Sequence, residues 1–313
     1  MRPIGLLYDS HTPNFGDRAI GISLSNALAD ARIVFEFVRD ASNIEGRFSA
    51  LVVGGGHCFR APGDWFYDRF RVPGRHILNA AGISEGAGSL SFLKDYRYVS
   101  VRSSGDYQRI SDVRPDASIV PCSSLSIQGA SDFTPQIEDG TILIHMAPSC
   151  SGFVPRWPES VDRAFPGHKK VLLTINRYNN DQEYLFDIAF YKGWRMISGL
   201  SPDQMDTLIA HQNVHGLLTT SLHGTMFAVK HSKPFLALPN IEKIRFFLQD
   251  RDLSSRFWAH EVSVGEMQGR LNPMSKDDSL GAIWKKDEAA LKSHIARIVS
   301  ECRAAIAEDG GGP

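Results

Sequence analysis

The stretch Thr219–Pro239, TTSLHGTMFAVKHSKPFLALP, sets a histidine between an apolar run and a helix-forming segment. Upstream, Val214–Leu218 (VHGLL) is short, apolar and bounded by polar residues, as a buried strand would be. Downstream, Leu222, Met226 and Val229 recur at i, i+4 and i+7, the spacing of one helix face. His223 therefore falls at a strand-to-helix elbow, with Ser221, Gly224 and Thr225 beside it. In open α/β sheets such elbows line the ligand crevice, and the first N–H groups of the new helix can hold an anion. An imidazole there can pair with a phosphate when charged, or pass a proton to a reacting group. The plainer account is a satisfied core or capping histidine; the elbow and its hydroxyl neighbours favour the chemical one.

Other residues with chemical potential also stand at expected strand ends. Asn14-Phe15-Gly16-Asp17 follows the first strand, where Asp17 either caps a helix or orients and deprotonates a sugar hydroxyl. Leu51–Phe59, LVVGGGHCF, runs a strand into Gly54, Gly55 and Gly56, which permit positive φ and a close backbone approach by a ligand. A tight turn would use the same glycines, and G-x-G-x-x-G is absent. Val99–Arg102 (VSVR) closes another strand with a cation that is either a surface side chain or a two-pronged partner for phosphate or carboxylate. His145, ending TILIHM, and Thr174-Ile175-Asn176 hold similar positions later in the chain. Lys243 follows FLALPN on a helix, where a solvated lysine is the default. No His, Asp or Glu grouping has metal-ligand spacing, and no G-x-S-x-G elbow occurs.

The elements that must position these residues alternate. Strands are expected at Ile4–Tyr8, Ile33–Phe37, Leu51–Val53, Ile77–Ala81, Tyr98–Val101 and Ser118–Val120, with a helix over Asp17–Ala29 and a turn at Asp106–Ile110. Ser126–Gly140 (SIQGASDFTPQIEDG) then turns polar, after which the rhythm restarts. Strands follow at Thr141–Met146, Val171–Thr174, Arg195–Ile197, Val214–Leu218 and Phe235–Leu238, and helices at Glu183–Tyr191, after Ser201, after Ser221 and at Ile241–Leu248. Trp284–Ala307 reads as a long terminal helix with Leu291, Ile295, Ile298, Val299 and Cys302 on its apolar face. The expectation is an α/β protein of two Rossmann-like domains facing a cleft, residues 1–130 and 131–284, with 285–313 a C-terminal helix and frayed tail.

Bulk properties exclude several classes. The 313 residues suffice for two cores, and 42% apolar with 22% charged residues is ordinary for a globular protein. A formal charge of −1 without like-charge blocks argues against a nucleic-acid surface. No run reaches the ~20 apolar residues of a membrane span, and MRPIGLLYDS lacks a signal-peptide core. Cys58, Cys122, Cys150 and Cys302 are scattered and read as buried apolar residues of a reduced, cytoplasmic protein. Asp64–Arg71, DWFYDRFR, could stack on sugars or touch lipid, but a half-buried helix is the simpler reading.

Taken in order, N-F-G-D, V-V-G-G-G, S-V-R, S-L-H-G-T-M-F-A and K-P-F-L-A-L resemble the polysaccharide pyruvyl transferase family, from about Gly5 to Leu253. The resemblance implies a fold like that of type-B glycosyltransferases (GT-B). It also implies transfer of the enolpyruvyl unit of phosphoenolpyruvate to sugar hydroxyls of a cell-surface polysaccharide or its precursor, closing a pyruvate ketal. On that pattern His223, Arg102 and Asp17 are the catalytic positions. Asn14, Gly55, Gly56, His145, Thr174, Ser221, Gly224, Thr225 and Lys243 are substrate-binding. The first domain would take the acceptor and the second the donor. Phosphoenolpyruvate is then the donor substrate and no cofactor or metal is called for. The partner is a glycan or lipid-linked oligosaccharide, not nucleic acid, with peripheral contact at the inner membrane face as an option. Departures are Ser221 where members often have arginine, Ser103 where an acid often follows the arginine, and Pro121-Cys122-Ser123-Ser124 in place of Asp-Pro. The alternatives are a nucleotide-sugar glycosyltransferase and a catalytically inactive glycan-binding protein of the same fold.

Overall fold

The computed structural model describes residues 2–9, 14–39, 44–152, 154, 156–175, 180–238, 241–258, 262–271 and 278–310. Asn176 and the tail at 311–313 lie outside the described residues. The chain divides into two compact units: residues 1–12, 16–126 and 287–313 form the first, and 13–15 with 127–286 the second. The division falls at Ser126, the start of the polar segment, and the chain from Asp287 onward joins the first unit.

The first unit holds strands β1 (Ile4–Leu7), β2 (Phe35–Phe37), β3 (Ala50–Val53), β4 (Gly56–Phe59), β5 (Ile77–Ile83), β6 (Tyr98–Val101) and β7 (Ser118–Ile119), in the order β2-β1-β3-β5-β6-β7, with β4 pairing β5. Every pair is parallel. β1, β3 and β5 are buried along their whole length, as a sheet covered on both faces requires, so their residues IGLL, ALVV and ILNAAGI run apolar rather than alternating. The helices are α1 (Phe15–Asp30), α2 (Trp65–Asp68) and α3 (Ser104–Gln108). Sequence reading missed β4, because the glycines that open it resemble a turn. It also overstated the DWFYDRFR helix: only one turn forms, and Trp65 lies 81% exposed.

The second unit has β8 (Thr141–His145), β9 (Lys170–Leu173), β10 (Arg195–Ile197), β11 (Val214–Thr219) and β12 (Phe235–Ala237), ordered β10-β9-β8-β11-β12 and all parallel. Around them lie α4 (Pro148–Ser151), α5 (Trp157–Ala164), α6 (Asp181–Lys192), α7 (Pro202–Ala210), α8 (Leu222–Lys230), α9 (Glu242–Gln249) and α10 (Val264–Leu271). Trp157 and Trp258 anchor its core, fully enclosed. The start of α7 follows its sequence signal: the Gln204 side chain accepts the Ser201 backbone N–H at 3.1 Å, with Pro202 at the first turn. All four cysteines are buried and unbridged. Among the described residues no helix is long and apolar enough to cross a membrane.

The terminal helix α11 (Asp278–Gly310) is longer than its apolar pattern foretold, and of the expected face Leu291, Ile298 and Cys302 are buried. His294 is buried while its neighbours Ile295 and Val299 are only partly so. The imidazole Nε2–H donates to Asn79 Oδ1 at 2.9 Å, and Nδ1 accepts from the Tyr98 hydroxyl at 3.0 Å. Asn79, inside β5, in turn donates to Ser123 Oγ at 3.0 Å. A polar asparagine within an apolar strand is thereby satisfied on both ends, and burial pushes His294 down to about 4, so it stays neutral. Asn79→Ala leaves buried hydrogen-bonding groups on His294 and Ser123 without partners. It should lower the urea-unfolding free energy by roughly 1–3 kcal/mol without changing the far-ultraviolet circular dichroism of the folded protein.

Candidate functional site

In the first unit the carboxyl ends of β3, β5 and β6 collect the residues singled out from sequence. Gly54, Gly55 and Gly56 all have positive φ, at 88°, 98° and 76°. Helix packing accounts for two of them: a Cβ on Gly55 would strike Ile20 of α1, and one on Gly56 would strike the Asp17 carboxylate. The triplet thus lets α1 lie on the loop and sets Asp17, half-buried in the first turn of α1, against the start of β4. Asn14 is half-buried just ahead of that helix.

Arg102, directly after β6, is 7% exposed rather than a surface cation. Its guanidinium lies on Gly82, where a Cβ would collide with it. Nη2 donates to His57 Nδ1 at 3.2 Å, which puts the His57 proton on Nε2, facing Ser84 Oγ at 2.5 Å. Nε stands 3.6 Å from Asp106 Oδ2. Asp106 is held in turn by the Ser103 hydroxyl at 2.6 Å and the Ile83 N–H at 2.7 Å. Ser103 therefore occupies the position of the expected acid, while the carboxylate arrives from Asp106, one turn along α3. Neither His57, Ser84 nor Asp106 was singled out from sequence; an i, i+4 Arg–Asp spacing was the available signal. Cys58, buried between these groups, has its thiol pushed up by burial and then by the Asp17 charge, while Arg102 and Arg69 act against both.

In the second unit the edge is set by register. Thr219 of β11 pairs with His145 of β8 and with Ala237 of β12. The chain then turns into α8, whose residues Leu222–Val229 are all buried. Ser221 caps α8, its Oγ accepting the Gly224 N–H at 3.4 Å, and Thr225 Oγ1 donates to the Ser221 carbonyl at 3.0 Å. Thr219 Oγ1 accepts the Ser221 N–H at 2.9 Å, and Thr220 Oγ1 accepts the Ala147 N–H at 2.9 Å. Gly224 is required, since a Cβ there would meet Thr219 Oγ1. His223 sits in this first turn, 8% exposed. Ser221 is thus the cap of the elbow helix, where an arginine could not cap. Lys243 is half-buried in the first turn of α9. Lys230 and Lys233, by contrast, are tied to backbone carbonyls, Lys230 Nζ to Ile127 at 2.7 Å and Lys233 Nζ to His211 at 2.8 Å.

Beside this elbow lies a pair that sequence reading only half saw. His145 Nδ1 donates to the Leu173 carbonyl at 3.1 Å, and its Nε2 stands 3.7 Å from Asp181 Oδ2 of α6. Both residues are about 1% exposed. Burial pushes His145 down to about 4. Burial, and then the Glu183 charge, pushes Asp181 up to about 7. Thr174 Oγ1, His145 Nε2 and Asp181 Oδ1 are buried without a hydrogen-bond partner. Asp181 escaped notice because the expected helix began two residues later, at Glu183. Among the described residues no cluster of three or more His, Cys, Asp or Glu could hold a metal ion.

The family model described as polysaccharide pyruvyl transferase matches residues 14–242. No curated protein is significantly similar to the chain. Among solved structures, the UDP-GlcNAc 2-epimerase of Neisseria meningitidis bound to UDP-GlcNAc is similar with a TM-score of 0.56 at 10% identity, covering 96% of this chain and 99% of that one. The UDP-GlcNAc 2-epimerase of Methanocaldococcus jannaschii, in complex with UDP-GlcNAc and UDP, gives 0.57 at 10% identity over 87% and 93%. UGT71G1 of Medicago truncatula, complexed with UDP-glucose, gives 0.51 at 9% identity over 95% and 98%. At such identities the likeness is one of fold, a GT-B-type pair of Rossmann-like sheets.

Asp181 allows a signed pH prediction. A carboxyl raised above its unfolded value binds its proton more tightly in the fold, so its contribution opposes folding progressively from about pH 4 to about pH 7. Asp181→Asn removes that opposition. Denaturant unfolding should find variant and wild type nearly equal at about pH 4, and the variant more stable by roughly 1–4 kcal/mol at about pH 8.

Proposed function

The chain belongs to the polysaccharide pyruvyl transferase family, and from that premise we propose that it moves the enolpyruvyl unit of phosphoenolpyruvate onto sugar hydroxyls of a cell-surface polysaccharide or its precursor, closing a pyruvate ketal. The observation that carries this reading is the extent of the match. It begins at Asn14 and takes in Asp17, the glycine triplet, Arg102, His145 and Ser221–Thr225, stopping one residue short of Lys243. The ends of both sheets described above fall within the matched span.

The donor carries a carboxylate and a phosphate. In the proposed reaction Lys243 and the N–H groups opening α8, in the second unit, offer these anions charge-assisted hydrogen bonds worth about 1.5–3 kcal/mol each, and Arg102, in the first unit, is the further cation of the family pattern. His57 and Asp106 hold the Arg102 guanidinium in one plane before the donor arrives, so little ordering is left for binding. Protonation of the methylene carbon leaves a cationic centre at carbon two. A sugar hydroxyl attacks that carbon, its bond to the phosphate oxygen breaks, and a second hydroxyl closes the ketal. One hydroxyl proton ends on the new methyl group and the other on the released phosphate, so no redox partner enters. His223 gives the proton or pairs with the phosphate. Asp17 orients or deprotonates the acceptor hydroxyl, with Asn14, Gly55 and Gly56 beside it. Ser221, Gly224, Thr225, His145 and Thr174 shape the donor end. A lipid-linked acceptor would bring the enzyme to the inner membrane face from the cytoplasm.

Incubation with phosphoenolpyruvate and a panel of glycans should yield products heavier by one pyruvyl ketal in mass spectrometry, with release of phosphate. His223→Ala should lower turnover by about 10²–10⁴-fold at unchanged melting temperature. Phosphoenolpyruvate should raise the melting temperature and UDP-sugars should leave it unchanged. Stabilisation by UDP-sugars alone would overturn the reading in favour of sugar transfer.

A further inference from the structure

The pair at the edge of the second sheet carries more than the proposed chemistry has used. His145 ends β8 and Asp181 opens α6. The Leu173 carbonyl can only accept, so the hydrogen bond at 3.1 Å keeps a proton on His145 Nδ1. In the neutral ring, Nε2 then presents a lone pair toward Asp181 Oδ2, 3.7 Å away. Asp181 Oδ1 has no hydrogen-bond partner, although Asp181 stands at a helix start, where backbone N–H groups could have stabilised a charge. An ionised carboxylate here would be buried, would lack a donor on Oδ1 and would confront a lone pair. Such an arrangement is costly unless a proton lies between the two groups. The surroundings agree. On α6 the charged neighbour is Glu183, which disfavours a second negative charge. Thr219 of β11 lies in register beside His145, and Thr174 and Thr220, which follow β9 and β11, are buried as well. Among the described residues these bring no fixed cation to the pair.

We propose that His145 is the positioning residue for Asp181: the two buried groups share one proton, Asp181 as the acid and His145 Nε2 as the acceptor, and act as a proton store at this sheet edge. The catalytic use of the store rests on the pyruvyl-transfer reading. That reaction takes a proton from an acceptor hydroxyl and gives one to the methylene carbon in each turnover. A pair that gives its proton to carbon and regains it from the hydroxyl ends the cycle unchanged, with atoms and charge balanced. His145, assigned from sequence to substrate binding, has Nδ1 engaged by the Leu173 carbonyl and Nε2 by the shared proton, so it holds the pair in place and the proton is exchanged at Asp181, whose Oδ1 has no other partner.

The test uses the full chain labelled with ¹⁵N-histidine, with His145→Gln to identify the ring signals. At pH 7 His145 should be neutral, protonated on Nδ1, with an Nε2 resonance displaced by a hydrogen bond. That resonance should shift in a step near neutral pH, and the step should vanish in Asp181→Asn while the melting transition stays cooperative. With phosphoenolpyruvate and acceptor, Asp181→Asn should lose the neutral-pH limb of the kcat profile and about 10²-fold in kcat with little change in KM. An imidazolium at pH 7, or a step that survives in Asp181→Asn, overturns the shared proton. A wild-type chain that shows the shared proton but transfers no pyruvyl group overturns the catalytic use and the pyruvyl-transfer reading together, leaving the pair itself established.

Discussion

The second unit turns on one alignment: Thr219 of β11 lies opposite His145 of β8. Parallel strands buried on both faces leave most of their polar side chains to their ends. Because these strands end level, hydroxyls, imidazoles and the cap of α8 crowd into one layer. The Thr220 N–H donates to the His145 carbonyl at 3.0 Å, which locks the turn into α8 onto β8 itself. A shift of one residue would exchange the faces of every side chain on β11 and send the elbow's hydroxyls elsewhere. The buried first turns of α8 follow from the same alignment, since only a glycine at 224 lets the helix approach Thr219 so closely.

The first unit solves a different problem, that of a buried cation. Arg102 could not stay enclosed without partners. Its neighbours come from the ends of other elements: His57 from β4, Asp106 from α3, and the bare backbone of Gly82 from β5. The arginine is immobilised, its charge partly answered by a carboxylate that also takes hydrogen bonds from Ser103 and Ile83. A guanidinium held in this way behaves as a fixed electrostatic feature rather than a flexible arm.

Much of this was legible in the residues because both units are built from short apolar strands and amphipathic helices, whose periods survive in sequence. The elbow at Ser221–Thr225 was visible for that reason, and so were the strand ends at Arg102 and His145. What escaped is polar and buried. His294 breaks the apolar face of α11 and so shifted its assignment toward Ile295 and Val299. Asp181 and Asp106 were not singled out, because a sequence does not reveal which carboxylates the fold will enclose. The glycine triplet spoke of close approach, but whether helix or ligand approaches is decided by tertiary packing, and here α1 does. β4 was lost to the same ambiguity, since glycine weakens any strand signal.

The grouping of α11 from Asp287 onward with the first sheet has a consequence for biosynthesis. Synthesis runs from the amino end, so residues 1–126 emerge with Asn79 already in β5, while its partner His294 is separated from them by the whole second unit. The second unit can complete itself during elongation, as domains made in order generally do. The earlier one cannot, and must wait half-assembled, with an unanswered amide in its core, until the ribosome has delivered His294. Chains cut short by a premature stop inside α11 would therefore carry a finished later half and an unfinished earlier one, a species that quality-control proteases would recognise by its exposed sheet.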